Sequence, residues 1–148
     1  MIKIIKIGKI IRTPVVRFKE LNYKKSKYSN CELSVILSSI KSEYLFESLD
    51  QKMVDLGRRN RNIWFKNVKN KVLYKSVFED DDTIKFKIIN GMIPETMLNN
   101  EELSGCENLV LVIELVGIWI IKNKYGLYMR LKEIHKKETI DYILSESS

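Results

Sequence analysis

Residues 109 to 134, LVLVIELVGIWIIKNKYGLYMRLKEI, constrain this chain most, because they read as two strands of different character joined by a short lysine/asparagine turn. The first arm, 109–121, is apolar on both parities apart from Glu114 and Gly117, so both faces of that strand need cover. The second arm alternates. Successive strand side chains emerge on opposite faces, which sets Leu127, Met129 and Leu131 on one side and Tyr128, Arg130 and Lys132 on the other. One face therefore feeds a core, and the other offers an aromatic ring beside two cations.

A hairpin of this kind needs partners, and 148 residues supply enough chain for one ordinary core without disulfides or metal. The formal charge of +7 biases the surface toward a polyanion, although Ile-, Lys- and Asn-heavy usage also follows from an AT-rich genome. Cys31 and Cys106 are too few for a disulfide framework and lack the CxxC spacing of a zinc site, so they are expected as reduced thiols in an intracellular protein. Lysines at 3, 6 and 9 interrupt every apolar run of residues 1–11, which argues against a signal peptide. The longest uncharged apolar run, 115–121, is far short of the ~20 residues of a membrane-spanning helix, so a soluble protein is expected.

From the N-terminus, residues 2–19 predict one or two irregular strands with Pro14 at an edge or bulge. Residues 22–30 interleave Tyr23 and Tyr28 with Lys24, Lys25 and Lys27, in either a binding loop or a merely solvated one. Leu33, Val35 and Leu37 alternate with neighbours as in a strand. Leu45, Leu49, Met53 and Leu56 then recur at helical steps, with Gly57 as the expected C-terminal stop. In 58–75 there are seven basic residues and no acid. Arg58, Arg59 and Arg61 precede Trp64, and Lys71, Tyr74 and Lys75 follow, a composition that can neutralise phosphates and stack on bases. The plainer alternatives are arginines that favour a helix C-terminus and a tryptophan that belongs to the core. Residues 71–78 and 83–89 predict two strands joined by the acidic turn 79–82, with Lys85 and Lys87 facing away from Ile84, Phe86 and Ile88. Adjacent carboxylates in that turn lack the spacing and glycine of a calcium loop. A short helix is expected within 95–103.

Little points to catalysis. His135, the sole histidine, sits beside Lys136 and Lys137 and is expected at the surface; no Ser/His/Asp or Cys/His set can be built without it. Neither phosphate-binding glycine loop occurs. Glu114, inside an apolar strand, is expected to have a lysine or backbone partner rather than a catalytic task, and no cofactor or metal is expected.

Gly117-Ile118-Trp119, the short turn, Tyr125-Gly126-Leu127 and the alternating strand together resemble the ending of OB-fold single-stranded DNA-binding proteins of large double-stranded DNA viruses and related phage proteins. The order of the earlier pieces is compatible over the whole chain, while the motif itself covers 115–132. The resemblance implies a mainly β protein with one principal helix, a five-stranded OB-fold-like Greek-key barrel over 1–137, followed by a short mildly acidic tail, 138–148. It also implies a protein that coats unwound single-stranded DNA during replication or recombination, with replication proteins as partners, in the host cytoplasm or nucleus. On that expectation cations among those named above track phosphates, while Tyr23, Tyr28, Trp64, Tyr74 and Tyr128 stack on bases and Trp119 belongs to the core. The rival class is a β-rich structural or protein-interaction module, such as a virion, assembly or transcription accessory component. Exposed edges of an incompletely closed barrel would allow a homo-oligomer.

Overall fold

The computed structural model describes residues 2–25, 30–38, 40–79, 82–89, 91–98, 103, 106 and 108–136. They form seven strands and one principal helix: β1 (Lys3–Arg12), β2 (Phe18–Lys24), β3 (Asn30–Leu37), α1 (Ile40–Arg59), α2 (Arg61–Trp64), β4 (Leu73–Lys75), β5 (Ile84–Ile89), α3 (Glu95–Leu98), β6 (Leu109–Ile121) and β7 (Lys124–Lys136). The strands make one open mixed sheet in the order β1-β6-β7-β5-β3-β2, and β4 pairs in parallel with the start of β7.

Seven strands replace the expected five for two local reasons. Around Pro14 the chain leaves the sheet ladder and turns, which separates β1 from β2. This corner is stitched to the start of β6: Val16 exchanges backbone hydrogen bonds with Leu109, Thr13 N donates to the Leu111 carbonyl, and Leu111 N donates to Thr13 Oγ1. The second reason is β4, a three-residue strand that branches off β7 in parallel and adds to the sheet, while only Phe78 bridges back to Ile84 where a hairpin with β5 is expected.

The 109–134 hairpin is the spine of the sheet, as its sequence predicts. β6 lies between β1 and β7, but only one of its faces is fully covered: Val110, Glu114, Val116, Trp119 and Ile121 are half-buried, where the two-sided apolar pattern predicts cover on both faces. Two register shifts between β6 and β7, at Val112/Ile113 and Leu115/Gly117, mark bulges that bend these long strands. On the inner face, Leu33, Val35, Phe86, Ile113 and Leu131 pack with Phe46 of α1 in the main core. A second cluster joins Met53 of α1 and Phe65 to Ile118, Ile120 and Tyr125 near the hairpin turn.

α1 extends three residues past the expected end, and Gly57 lies inside it. The small residue is needed for contact, not termination. A Cβ there would collide with the ring and hydroxyl of Tyr125, whose Oη donates to the Met53 carbonyl at 3.0 Å. One turn earlier, Asp50 accepts from Tyr74 Oη at 2.6 Å, from Val77 N at 2.9 Å and from Ser76 Oγ, pinning the helix to the chain around β4. No helix among the described residues is long and apolar enough to cross a membrane.

Candidate nucleic-acid interface

The helix covers the inner face of the sheet and leaves the outer face to solvent. Register places an unbroken row of residues across that outer face. Glu114 pairs with Arg130, Arg130 with Lys87, Lys87 with Glu32, and Glu32 with Lys24. Directly opposed residues on adjacent strands share a face and bring their side chains together. Arg130 Nη1 donates to Glu114 Oε1 at 3.2 Å, and Lys87 Nζ lies 3.2 Å from Glu32 Oε2. Neighbouring rows carry Tyr128 opposite Gly117, Trp119 opposite Gly126, and Lys75 beside Gly126.

Two adjoining hollows follow these rows. One, of about 270 Å³, is lined by Lys75, Lys85, Lys87, Trp119 and Tyr128. The other, of about 530 Å³, shares Lys85 and Glu79 with it and continues past Ser34 to Asn22 and Lys24. The three basic stretches seen in sequence thus meet only in part: 71–75, 83–89 and 127–132 each send residues here. Arg130 lies over the Tyr128 ring, its Cζ 5.9 Å from the centroid, and its buried Nε has no hydrogen-bond partner among the described residues.

The groove is basic but internally balanced. Glu32 touches both Lys87 and Lys85, at 3.2 and 3.7 Å, and Glu79 lies 3.7 Å from Lys75. Partial burial pushes the Glu32 carboxyl upward. The hydrogen bond from Lys87 and the charges of Lys87, Lys85 and Lys24 outweigh it and hold the group below the usual carboxylate range. These lysines are about half exposed, so their pairings hold them weakly and can be exchanged for an incoming anion.

Other expected residues lie elsewhere. Tyr74 is packed in the second cluster with its hydroxyl on Asp50; burial first, and then that hydrogen bond, raise its ionisation far above the ordinary tyrosine value. Its half-buried ring lines the helix-side cleft with Tyr125 and not the outer groove, which corrects its placement beside Tyr128. Trp64 is corrected likewise: it packs on the second cluster, its ring centroid 6.1 Å from that of Tyr125. Arg61 is engaged locally, donating from Nη1 to the Phe65 carbonyl and from Nη2 to the Val68 carbonyl. Arg58 and Arg59 form the basic last turn of α1, where they favour its dipole. Arg58 and Lys71 rim a cleft floored by Tyr125 on the helix side, away from the outer groove. Tyr23 packs against the main core, and its hydroxyl is pushed up to about 12, first by a hydrogen bond with Cys31 and then by burial. Lys25 pairs with Glu95 at 3.1 Å. Lys132 is the extra residue of the β7 bulge, with no partner opposite it on β6. Lys27 and Tyr28, Asp80 and Asp81, and the 138–148 tail lie outside the described residues.

Trp119 is the residue sequence reasoning misplaced. It is half-buried and lines the groove, its indole lying over Gly126, where a Cβ would fall 2.5 Å from the ring. The signal was available in the hairpin register. Once the turn is placed, Trp119 falls opposite Gly126, on the parity of Tyr128 rather than that of Leu127. His135 is exposed and 3.1 Å from Glu133, and the partner of Glu114 is Arg130, not the lysine or backbone group expected. Among the described residues no cluster of three or more His, Cys, Asp or Glu is placed to hold a metal ion. Comparison with protein-family models, with curated proteins and with solved structures gives no significant match.

Proposed function

We propose that this protein binds single-stranded nucleic acid, DNA in the first instance, along the outer face of its sheet, without catalysis and with little sequence preference. The strongest support is the meeting of Trp119 and Tyr128 with Lys75, Lys85 and Lys87 in one open hollow. Rings that present a face to a groove stack on any base, each stack contributing about 1–3 kcal/mol, while lysines track the backbone. Arg130, held at Nη1 by Glu114 and lying over the Tyr128 ring, adds a further cation beside these rings.

The topology supports an OB-type reading. If β1 and β2 count as one strand bent at 13–17, and β4 as a side branch, the path becomes first-second-third-fifth-fourth, with Val16 and Leu109 bringing the fourth back to the first. The third and fifth strands, β5 and β7, are then parallel. In an OB barrel the second and third strands and the loop between the fourth and fifth bind oligonucleotides. Here the second and third strands are β3 and β5, whose Glu32, Ser34, Lys85 and Lys87 line the groove. This is the layout implied by the resemblance to viral single-stranded DNA-binding proteins.

The alternating charges of Glu114, Arg130, Lys87, Glu32 and Lys24 favour a second reading, a docking face for a charged protein partner. Fluorescence anisotropy with labelled single-stranded DNA, duplex DNA and RNA separates the two. Micromolar or tighter binding to single strands, weakening with salt and accompanied by quenching of Trp119, is expected. No binding at low salt overturns the proposal, and equal affinity for duplex moves it to a general polyanion binder.

A further inference from the structure

β1 is the free edge of the sheet on the β6 side, and it carries an unusual combination of residues. Ile2, Ile4, Ile7 and Ile10 are 61, 57, 38 and 49 % exposed, which puts four of the nine exposed large hydrophobics of the described residues on or beside this one strand. Among the described residues its outer row of backbone groups has no strand partner, a template for pairing with another chain. Lysines at an edge ordinarily deter such pairing. Here they stand at a period of three, Lys3, Lys6, Lys9 and Arg12, in a sequence that reads nearly the same in both directions, KIIKIGKIIR.

We propose that β1 is a dimerisation edge that pairs antiparallel with β1 of a second copy, centred on Ile7. An isologous contact needs a surface complementary to itself. Side chains opposite each other must also share a face, which admits only registers that oppose even-numbered to even-numbered residues, because Ile4, Lys6 and Ile10 lie on the outer face opposite Trp119, Gly117 and Glu114. Centring on Lys6 sets Lys6 against its own copy and Lys3 against Lys9. Centring on Gly8 sets Ile4 against Arg12 and Ile10 against Lys6. Centring on Ile7 sets Ile4 against Ile10, Lys6 against Gly8, and Lys3 against Ile11, so no cation opposes a cation and the exposed isoleucines cover each other. Gly8, at φ 70 within the bulge between Lys6 and Lys9, leaves room for the opposing Lys6 stem. The period of the lysines thus selects a register instead of forbidding all of them. The two sheets become continuous with their outer faces on the same side.

Four cations on each edge remain near one another, which gives the contact a signature. Salt screens like charges over the Debye length, about 8 Å at physiological ionic strength, so added salt tightens this dimer. Association through an acidic segment or through bound nucleic acid would weaken instead. The test is sedimentation velocity on the nucleic-acid-free protein from micromolar to sub-millimolar concentration at low and high salt. A monomer–dimer equilibrium that tightens with salt is expected, and the double substitution Ile4→Lys/Ile10→Lys, at exposed positions the fold does not need, weakens it at least tenfold. In a Cys106→Ser background, Ile4→Cys/Ile10→Cys gives a disulfide-linked dimer on mild oxidation and either single cysteine gives none. A monomer at every concentration, a dimer that dissociates with salt or is indifferent to the lysines, or cross-linking of Ile4→Cys to itself overturns the proposal. None of these readings involves nucleic acid, so the proposed function stands or falls separately.

Discussion

Residues 58–75 and the outer face of β5 and β7 have the same vocabulary of cations and aromatic rings, and the fold uses them oppositely. In the first region Trp64 and Tyr74 turn inward against Tyr125, Arg61 closes onto backbone carbonyls, and Tyr74 reaches Asp50. In the second, Trp119 and Tyr128 border an open hollow with Lys75, Lys85 and Lys87. Composition is equal in kind, but context differs. The first segment must close the helical end of the core, so its half-buried rings are spent packing against Tyr125 and the second cluster. The second is a sheet face whose opposite side already satisfies the core, so its half-buried rings line an open hollow beside exposed cations. Basic–aromatic interleaving is thus informative only where the element's apolar side is separately accounted for.

Exchanging comparable residues between the two regions gives the sharpest contrast. Trp64→Ala is expected to cost about 3 kcal/mol of stability in urea unfolding, the lower end for a large aromatic truncation, while folded molecules bind oligonucleotide as before. Trp119→Ala is expected to unfold almost as wild type yet to bind single strands about 5- to 150-fold more weakly, the loss of one stack. Loss of binding with Trp64→Ala at full folding, or none with Trp119→Ala, would break the contrast.

Tyr74→Phe removes a hydrogen bond to a carboxylate and is expected to cost about 2 kcal/mol with unchanged affinity. Because the Tyr74 ionisation is raised in the fold, its contribution is complete below the unfolded tyrosine value of ~10 and is lost as pH climbs toward the folded one. Wild-type stability should therefore fall in alkali more steeply than that of Tyr74→Phe, measured by denaturant midpoints across that range.

Gly57→Ala tests the same inner region from the helix. In an ordinary helix interior the change gains about 1 kcal/mol. Here the added Cβ meets the Tyr125 ring, so a loss of about 1–3 kcal/mol is expected from overpacking, and a gain would show that Tyr125 is free to move.

The smallest effect belongs to the groove. Glu32→Gln releases Lys85 and Lys87 and is expected to tighten single-strand binding a few-fold at low salt, read by anisotropy. Acid should reproduce the tightening only well below the usual carboxylate range, because the Glu32 ionisation is depressed; its stabilising ion pairs are intact above the unfolded value and are lost as pH falls through the folded one.

Period-two alternation marked the second arm of the 109–134 hairpin, the inward Ile84/Phe86/Ile88 face and the outward Lys85 and Lys87, because a strand that buries one side leaves an imprint every second residue. Helical spacing located α1 in the same way. Its end was misjudged because Gly57 answers to Tyr125, which lies 68 residues further along the chain (125 − 57) and is brought near only by folding. The same holds for Trp119, whose apolar neighbours in sequence suggested burial while its cross-strand partner Gly126 set it in the groove.

By itself, then, the sequence determined the alternation of the strands, the principal helix, the basic balance and the residue types available for an anion. Tertiary structure decided which rings remain at the surface, which cations meet, and that glutamates stand between them. Periodicity is a local property of the backbone and is written in neighbouring residues. Register, sheet order and the closing of a core over one aromatic ring instead of another are set by contacts between distant residues, and those contacts exist only once the chain has folded.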